Sequence, residues 1–174
     1  IIVCTATDNQ ILLIHDNSQL DILYTASEKF KSAPVIAEID GESYIFAGND
    51  DDKLYGINAN GELIYEFLTN DKIRTSPAFY KYGNNVSIFY GSYDGFMYGK
   101  NKYGDDLDGF PVNINSSITT SPVVSDLNND GSIEIIFGAS DGSIIAMNAE
   151  NQNLDYFPVN TGIGISGSPM LTDL

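Results

Sequence analysis

The sequence predicts an all-β fold, a β-propeller built of four-stranded antiparallel blades with no significant helix. Three observations carry the prediction. "SAPVIAEID", "TSPAFYKYG", "TSPVVSDLN" and "GSPMLTDL" repeat one pattern, with Pro34, Pro77, Pro122 and Pro169 at spacings of 43, 45 and 47 residues. Asp8, Asp51, Asp94 and Asp141 recur at spacings of 43, 43 and 47, each in a polar turn between two apolar runs. The runs are short and rich in Val, Ile, Tyr and Phe, and no stretch sustains a helical period. Four-strand units repeating every ~40–45 residues are the signature of a propeller.

The strands of one unit follow in order. Strand A opens at the Ser-Pro segment, where proline needs no ladder donor at a first-strand position. Strand B is the "YIFAG", "SIFYG" or "EIIFG" run. An Asp-Gly or Asp-Asp turn then leads to strand C, glycine or asparagine accepting positive φ. A last run, "DILYT", "ELIYEF", "GFPVNI" or "YFPVN", supplies strand D. The repeat segments are 1–31, 32–74, 75–119 and 120–166, and 167–174 begins another unit or closes the first. The order is B-C-D, three times A-B-C-D, then a lone A: sixteen strands and four blade-equivalents. Such a chain is a stretch of a larger propeller, a closed four-bladed disc, or one half of an eight-bladed homodimer. The first is favoured, because "SPMLTDL" resembles the start of a further polar loop, with Asp173 where Asp126 stands in the preceding copy. A chain that starts at Ile1 without methionine or leader also reads as a processed or excised piece.

Composition removes several functional classes. The 174 residues are 43% hydrophobic and 18% charged, which is globular composition. With 8 Lys+Arg against 24 Asp+Glu, the net charge of −16 repels phosphate backbones, so no nucleic-acid partner is expected. No apolar run approaches the ~18 residues of a membrane span, and no insertion is expected. Cys4 is the only cysteine and His15 the only histidine, so intramolecular disulfides, thiolate clusters and multi-histidine zinc sites are excluded. His15 has no nucleophile beside it and is expected to be structural.

"DLNNDGSIE" (126–134) carries the chemistry. Oxygen donors at alternate positions followed by glycine are what a hard cation takes from a tight loop, and their mutual repulsion favours a bound ion. Position 12 of an EF-hand count is Phe137, so the loop is not an EF-hand. The other copies have lost the pattern: "EIDGES" keeps Asp40 and Gly41 in a shorter loop, and "YKYGNNVS" has no acid. The competing reading is a metal-free polar turn.

"SPVVSDLNNDGSIEIIFGASDGSIIAMNAE" resembles the FG-GAP-like and pyrroloquinoline-quinone-like propeller repeats of secreted bacterial and archaeal surface proteins. "DGFPVN" and "DYFPVN" resemble their Gly-Phe-Pro segment. The resemblance implies a binding or scaffolding module, secreted, cell-surface or periplasmic. It also implies one calcium site, with Asp126, Asn128 and Asp130 binding by side chains, Ser132 by its carbonyl and Glu134 closing the shell. The chain has no tryptophan and no cysteine pair, as the quinone enzymes of this type have, so no quinone cofactor and no catalysis are expected. A propeller appended to an extracellular hydrolase is the first alternative, and a degenerate quinoprotein a weaker one.

Up-and-down strands put the A–B and C–D loops on one side and the B–C and D–A loops on the other. The second side is the expected surface for a protein or carbohydrate partner. It gathers Asn49, Asp50, Ser92, Tyr93 and Ser140 beside "NDKIRT", with Tyr93 the leading contact because small or polar residues hold its place in the other copies.

Overall fold

The computed structural model describes residues 2–6, 8–128 and 130–172. These form four antiparallel sheets and no helix, and therefore no helix able to cross a membrane. The first sheet holds β1 (Ile2–Ala6), β2 (Gln10–Ile14) and β3 (Leu20–Thr25). The second holds β4 (Val35–Ile39), β5 (Glu42–Gly48), β6 (Lys53–Asn58) and β7 (Leu63–Leu68). The third holds β8 (Ala78–Tyr82), β9 (Asn85–Gly91), β10 (Phe96–Asn101) and β11 (Val112–Asn113). The fourth holds β12 (Val123–Ser125), β13 (Glu134–Gly138), β14 (Ser143–Asn148) and β15 (Val159–Asn160). In each sheet neighbours in sequence are neighbours in space, so the sheets are blades.

Both faces of an inner blade are apolar, because side chains alternate across a strand and each face meets another blade. Ile45, Ala47, Tyr55 and Ile57 of the second blade pack with Ile11 of the first. Phe46 and Leu54, on the opposite face, pack with Ile88, Tyr90 and Tyr98 of the third. Phe89, Met97 and Phe110 pack with Ile135, Phe137, Ile145 and Met147 of the fourth. Three cores thus fill the three junctions between successive blades, and the array is an open arc.

Two expectations are corrected here. Among the described residues no packed core joins the first blade to the fourth, so the arc is not the closed four-bladed disc. The described part of the lone A segment, 167–172, forms no strand, leaving fifteen strands among the described residues and only three in the first sheet. The physical reason is that its B-type partner, β1, lies at the other end of the arc. Asp173, read as the start of a second polar loop, lies outside the described residues.

The connectors lock the blades together. Ile73 lies against Gly48 and Ile118 against Gly91, so closely that a Cβ on either glycine would fall 2.5 or 2.3 Å from the isoleucine Cγ2. Two residues further on, a hydroxyl reaches the next blade's corresponding glycine. The Gly91 N–H donates to Thr75 Oγ1 at 3.1 Å, and that hydroxyl donates to the Gly91 carbonyl at 2.7 Å. Ser32 serves Gly48 and Thr120 serves Gly138 in the same way. Each hydroxyl carries the A–B pairing past the proline, which has no N–H of its own. The residues just before the prolines add a second chain of links. Ser76 Oγ donates to the Ala33 carbonyl, the Ser76 N–H to Ser121 Oγ, and the Ser121 N–H to Ser168 Oγ.

Gly91→Ala is expected to cost ~1–3 kcal/mol or more, the usual range for overpacking. Gly167→Ala, where a Cβ meets nothing within 4 Å, should change stability by less than ~0.5 kcal/mol. Equilibrium denaturation of the two variants checks this pair; equal stability would remove the steric account of the junction.

Candidate functional site

The polar loop joins β12 to β13, and the glycine in it, Gly131, has φ +89, a conformation that an L side chain resists. Its acidic groups organise the turn. Asp126 accepts the N–H groups of Asp130 and Gly131 at 3.1 Å each. Asn128 accepts the Asp130 N–H at 3.0 Å and donates its amide to Asp130 Oδ2 at 2.8 Å. Asp130 accepts the Ser132 N–H at 2.8 Å, and this bond, with the Asn128 amide, holds its carboxyl below the usual aspartate value. Asp126, Asn128, Asp130 and Ser132 are all exposed.

Glu134 differs. It opens β13 opposite Ser125, and it is 0% exposed. One carboxylate oxygen, Oε2, accepts the Leu127 N–H at 2.7 Å, while the other, Oε1, is buried with no hydrogen-bond partner. A buried carboxylate oxygen without a donor calls for a cation, a proton or a water. Asp126, Asp130 and Glu134 do not converge into a three-acid cluster, since no such group forms among the described residues. The aspartates lean on backbone N–H groups, which they would exchange for an ion. Elsewhere, Asp40 of "EIDGES" is held by Lys102 Nζ at 2.6 Å, an ion pair between the second and third blades.

On the opposite side, the residues expected to meet a partner separate into two groups. Asn49 and Ser92 are both 0% exposed. Asn49 donates its amide to the Glu28 carbonyl at 2.8 Å, and Ser92 its hydroxyl to the Asp71 carbonyl at 2.8 Å. Both tie the B–C turn to the preceding connector. Asp50 and Tyr93 belong to one surface cluster spanning the second and third blades. Arg74 grips Asp50 with two bonds, Nε–Oδ1 at 2.8 Å and Nη2–Oδ2 at 2.9 Å, and this holds the Asp50 carboxyl below its ordinary value. Arg74 and Lys72 both lie over the Tyr93 ring, at 5.6 and 4.8 Å from its centroid. Ser140 stands apart and exposed, its hydroxyl 2.9 Å from that of Ser116. The cations of "NDKIRT" therefore belong to the cluster. Sequence spacing hides this, because Arg74 and Asp50 are 24 residues apart, on different connections of one repeat.

The turn aspartates also reach inward. Asp51 accepts the Tyr55 hydroxyl and Asp94 the Tyr98 hydroxyl, each at 2.6 Å. Tyr98 stacks on Tyr90, whose own hydroxyl is buried with no partner. His15 pairs with Asp21 at 2.9 Å on the rim of an apolar cleft of about 440 Å3 between the first two blades. Val3 and Leu13 line that cleft, standing where the second blade has Phe46 and Gly56. In the second blade Tyr65 lies against Gly56 and in the third Phe110 against Gly99, and both rings fill their wedge.

No family model matches the chain, and no curated protein sequence matches it. Solved structures match over nearly its whole length. BamB from Moraxella catarrhalis superposes with a TM-score of 0.66 at 16% identity, over 98% of this chain and 49% of that one. The WD40 β-propeller domain of Doa1 gives 0.65 at 16% identity, over 92% and 52%. BBS1N, solved in complex with ARL6DN, gives 0.64 at 9% identity, over 87% and 49%. The likeness is one of fold. The repeats are β-propeller blades, and the chain spans about half the length of the structures it matches.

Burial raises the Tyr90 phenol well above its ordinary value, and burial with an aspartate acceptor does the same for Tyr55 and Tyr98. A raised folded-state value means that stability is complete below the unfolded tyrosine pKa of ~10 and falls as pH rises above it. Unfolding midpoints are therefore expected to drop steadily above about pH 10, and a Tyr90→Phe, Tyr98→Phe double variant to drop less. An alkaline limb that the two substitutions leave unchanged would contradict this.

Proposed function

We propose that this chain is a non-catalytic, calcium-stabilised propeller module of the FG-GAP-like or pyrroloquinoline-quinone-like kind, belonging to a secreted or surface protein and serving protein binding or scaffolding. The observation that carries the calcium reading is Glu134: a fully buried carboxylate with one oxygen unpartnered, beneath a loop of two aspartates and an asparagine. Asp126, Asn128, Asp130, the Ser132 carbonyl and Glu134 would hold the ion, with hard oxygen donors of the kind calcium takes. Calcium there ties strand A of the fourth blade to strand B and offsets the buried negative charge. The binding role is supported by the fold, which BBS1N uses in a complex with ARL6DN, and by a partner-facing side that presents Tyr93 with Lys72 and Arg74.

Calcium is expected to raise the thermal midpoint over that in EDTA, by the equivalent of ~2.7 kcal/mol when free calcium is a hundred times its dissociation constant. Asp126→Asn should lose most of the response. Glu134→Gln should lose it too, while remaining at least as stable as the parent in EDTA, because it removes an uncompensated buried charge. A parent melt that millimolar calcium leaves unmoved would overturn the reading.

A further inference from the structure

Half of the chain's eight cations stand on two neighbouring connectors, in the same two places. Phe30 and Ile73 are the buried anchors of those connectors, and in an extended segment the residues beside an inward-pointing anchor point outward. Those residues are Lys29 and Lys31 in the first connector, Lys72 and Arg74 in the second. The next two connectors have Ser117, Thr119, Gly164 and Ser166 around Ile118 and Ile165. The turns between strands B and C tie the two cation pairs into one strip. The Asp50 N–H donates to the Lys29 carbonyl at 3.0 Å and the Tyr93 N–H to the Lys72 carbonyl at 3.1 Å, while Arg74 reaches back to Asp50. Lys29 and Lys31 are exposed and make no ion pair among the described residues. Toward the opposite side Lys81, Lys100 and Lys102 are held by carboxylates, those of Glu38, Asp106 and Asp40.

The nearby acids gather in a zone of their own. Asp51 accepts hydroxyls from Ser27 and Tyr55, and Asp94 accepts the Tyr98 hydroxyl and the Asn70 N–H. Burial, then Asp71, Asp51 and Asp94, push the Asp52 carboxyl up, whereas Arg74, then Lys31 and Lys72, hold the Asp50 carboxyl down. An acidic zone and a cationic strip thus share one side. We propose that the strip binds an acidic, extended segment of a protein partner, whose carboxylates meet Lys29 and Lys31 on one connector and Lys72 and Arg74 on the next. The inference rests on the protein-binding reading above and adds the chemistry of the partner. Spacing favours a peptide, because alternate residues lie roughly 6.6 Å apart on one face of any extended chain, connector and ligand alike. Arg74 keeps donors for it, since Asp50 occupies one edge of the planar fork, Nε and Nη2. A sugar polymer fits less well, because the ring that would stack on it, Tyr93, already carries Lys72 and Arg74.

Fluorescence anisotropy of a labelled peptide of alternating Glu and Ser tests this, in ~0.15 M salt, where a Debye length of ~8 Å screens the chain's remote acids. The parent chain is expected to bind this peptide and not its counterpart with Gln for Glu. Lys29→Glu and Lys31→Glu should each weaken binding about fivefold or more, since reversal removes an exposed ion pair and adds a repulsion. Lys81→Glu changes the net charge equally on the other side and should leave the affinity within about twofold. All three alter exposed side chains and should stay folded by circular dichroism. Equal binding of the Glu and Gln peptides would leave a peptide surface and overturn the acidic partner. Binding of neither peptide overturns both the acidic partner and the choice of this side for protein binding. Equal losses in Lys81→Glu and Lys31→Glu overturn the strip as the site. Binding of heparin without the Glu peptide would make the ligand an anionic sugar polymer and overturn the proposal. None of these outcomes bears on the calcium melt, which tests the rest of the functional reading.

Discussion

Each junction of the arc hangs on one small contact: a connector hydroxyl that grips both polar groups of a glycine at the end of strand B. Thr75 does this for Gly91, Thr120 for Gly138 and Ser32 for Gly48, and all three hydroxyl residues are almost fully buried. The need arises from proline. Pro34, Pro77 and Pro122 set the direction of strand A and carry no N–H, and the ladder between strands A and B begins only at the residue after each of them, so the N–H and carbonyl of the glycine that ends strand B take the hydroxyl as their partner. The glycine is required in turn, because the next connector lays Ile73, Ile118 or Ile165 where a Cβ would be. One connector thus packs its isoleucine on the blade behind and bonds its hydroxyl to the blade ahead. Proline, hydroxyl, isoleucine and glycine form a single device that repeats with the blade.

The two proposed sites stand on opposite sides of this frame. The loops that the frame leaves free on one side include the polar loop above Glu134, one of whose buried oxygens has no hydrogen-bond partner. On the other side the B–C turns are fastened down through Asn49 and Ser92, which are buried fasteners. What projects beyond them is Tyr93 beneath Lys72 and Arg74, braced by Asp50. Rigid turns carrying a cation-backed aromatic are suited to a partner surface, since little ordering is left to pay for on contact.

Much of this was legible in the sequence. Repeat spacing predicted the blades, the up-and-down order and the side on which each loop lies, because period-two patterning and turn chemistry act locally. The polar loop was legible for the same reason. The hydroxyl–glycine device was present as "KSAP", "RTSP" and "TTSP", yet its purpose appears only when residues sixteen or eighteen apart are seen bonded. Closure was not legible either. Whether 167–172 pairs with the first blade depends on the sweep of the whole arc, which no local pattern encodes. The Arg74–Asp50–Tyr93 cluster likewise needed the blade-to-blade offset before its members could be paired.

The most direct test of the frame is the stability of Thr75→Val beside Thr75→Ser, by equilibrium denaturation. Valine keeps the shape and removes the hydroxyl, leaving the N–H and carbonyl of Gly91 without their partner in the interior. It is expected to lose ~1–3 kcal/mol, with serine close to the parent. A valine variant as stable as the parent would mean that the junctions rest on apolar packing alone, and that the hydroxyl–glycine link does not hold the blades.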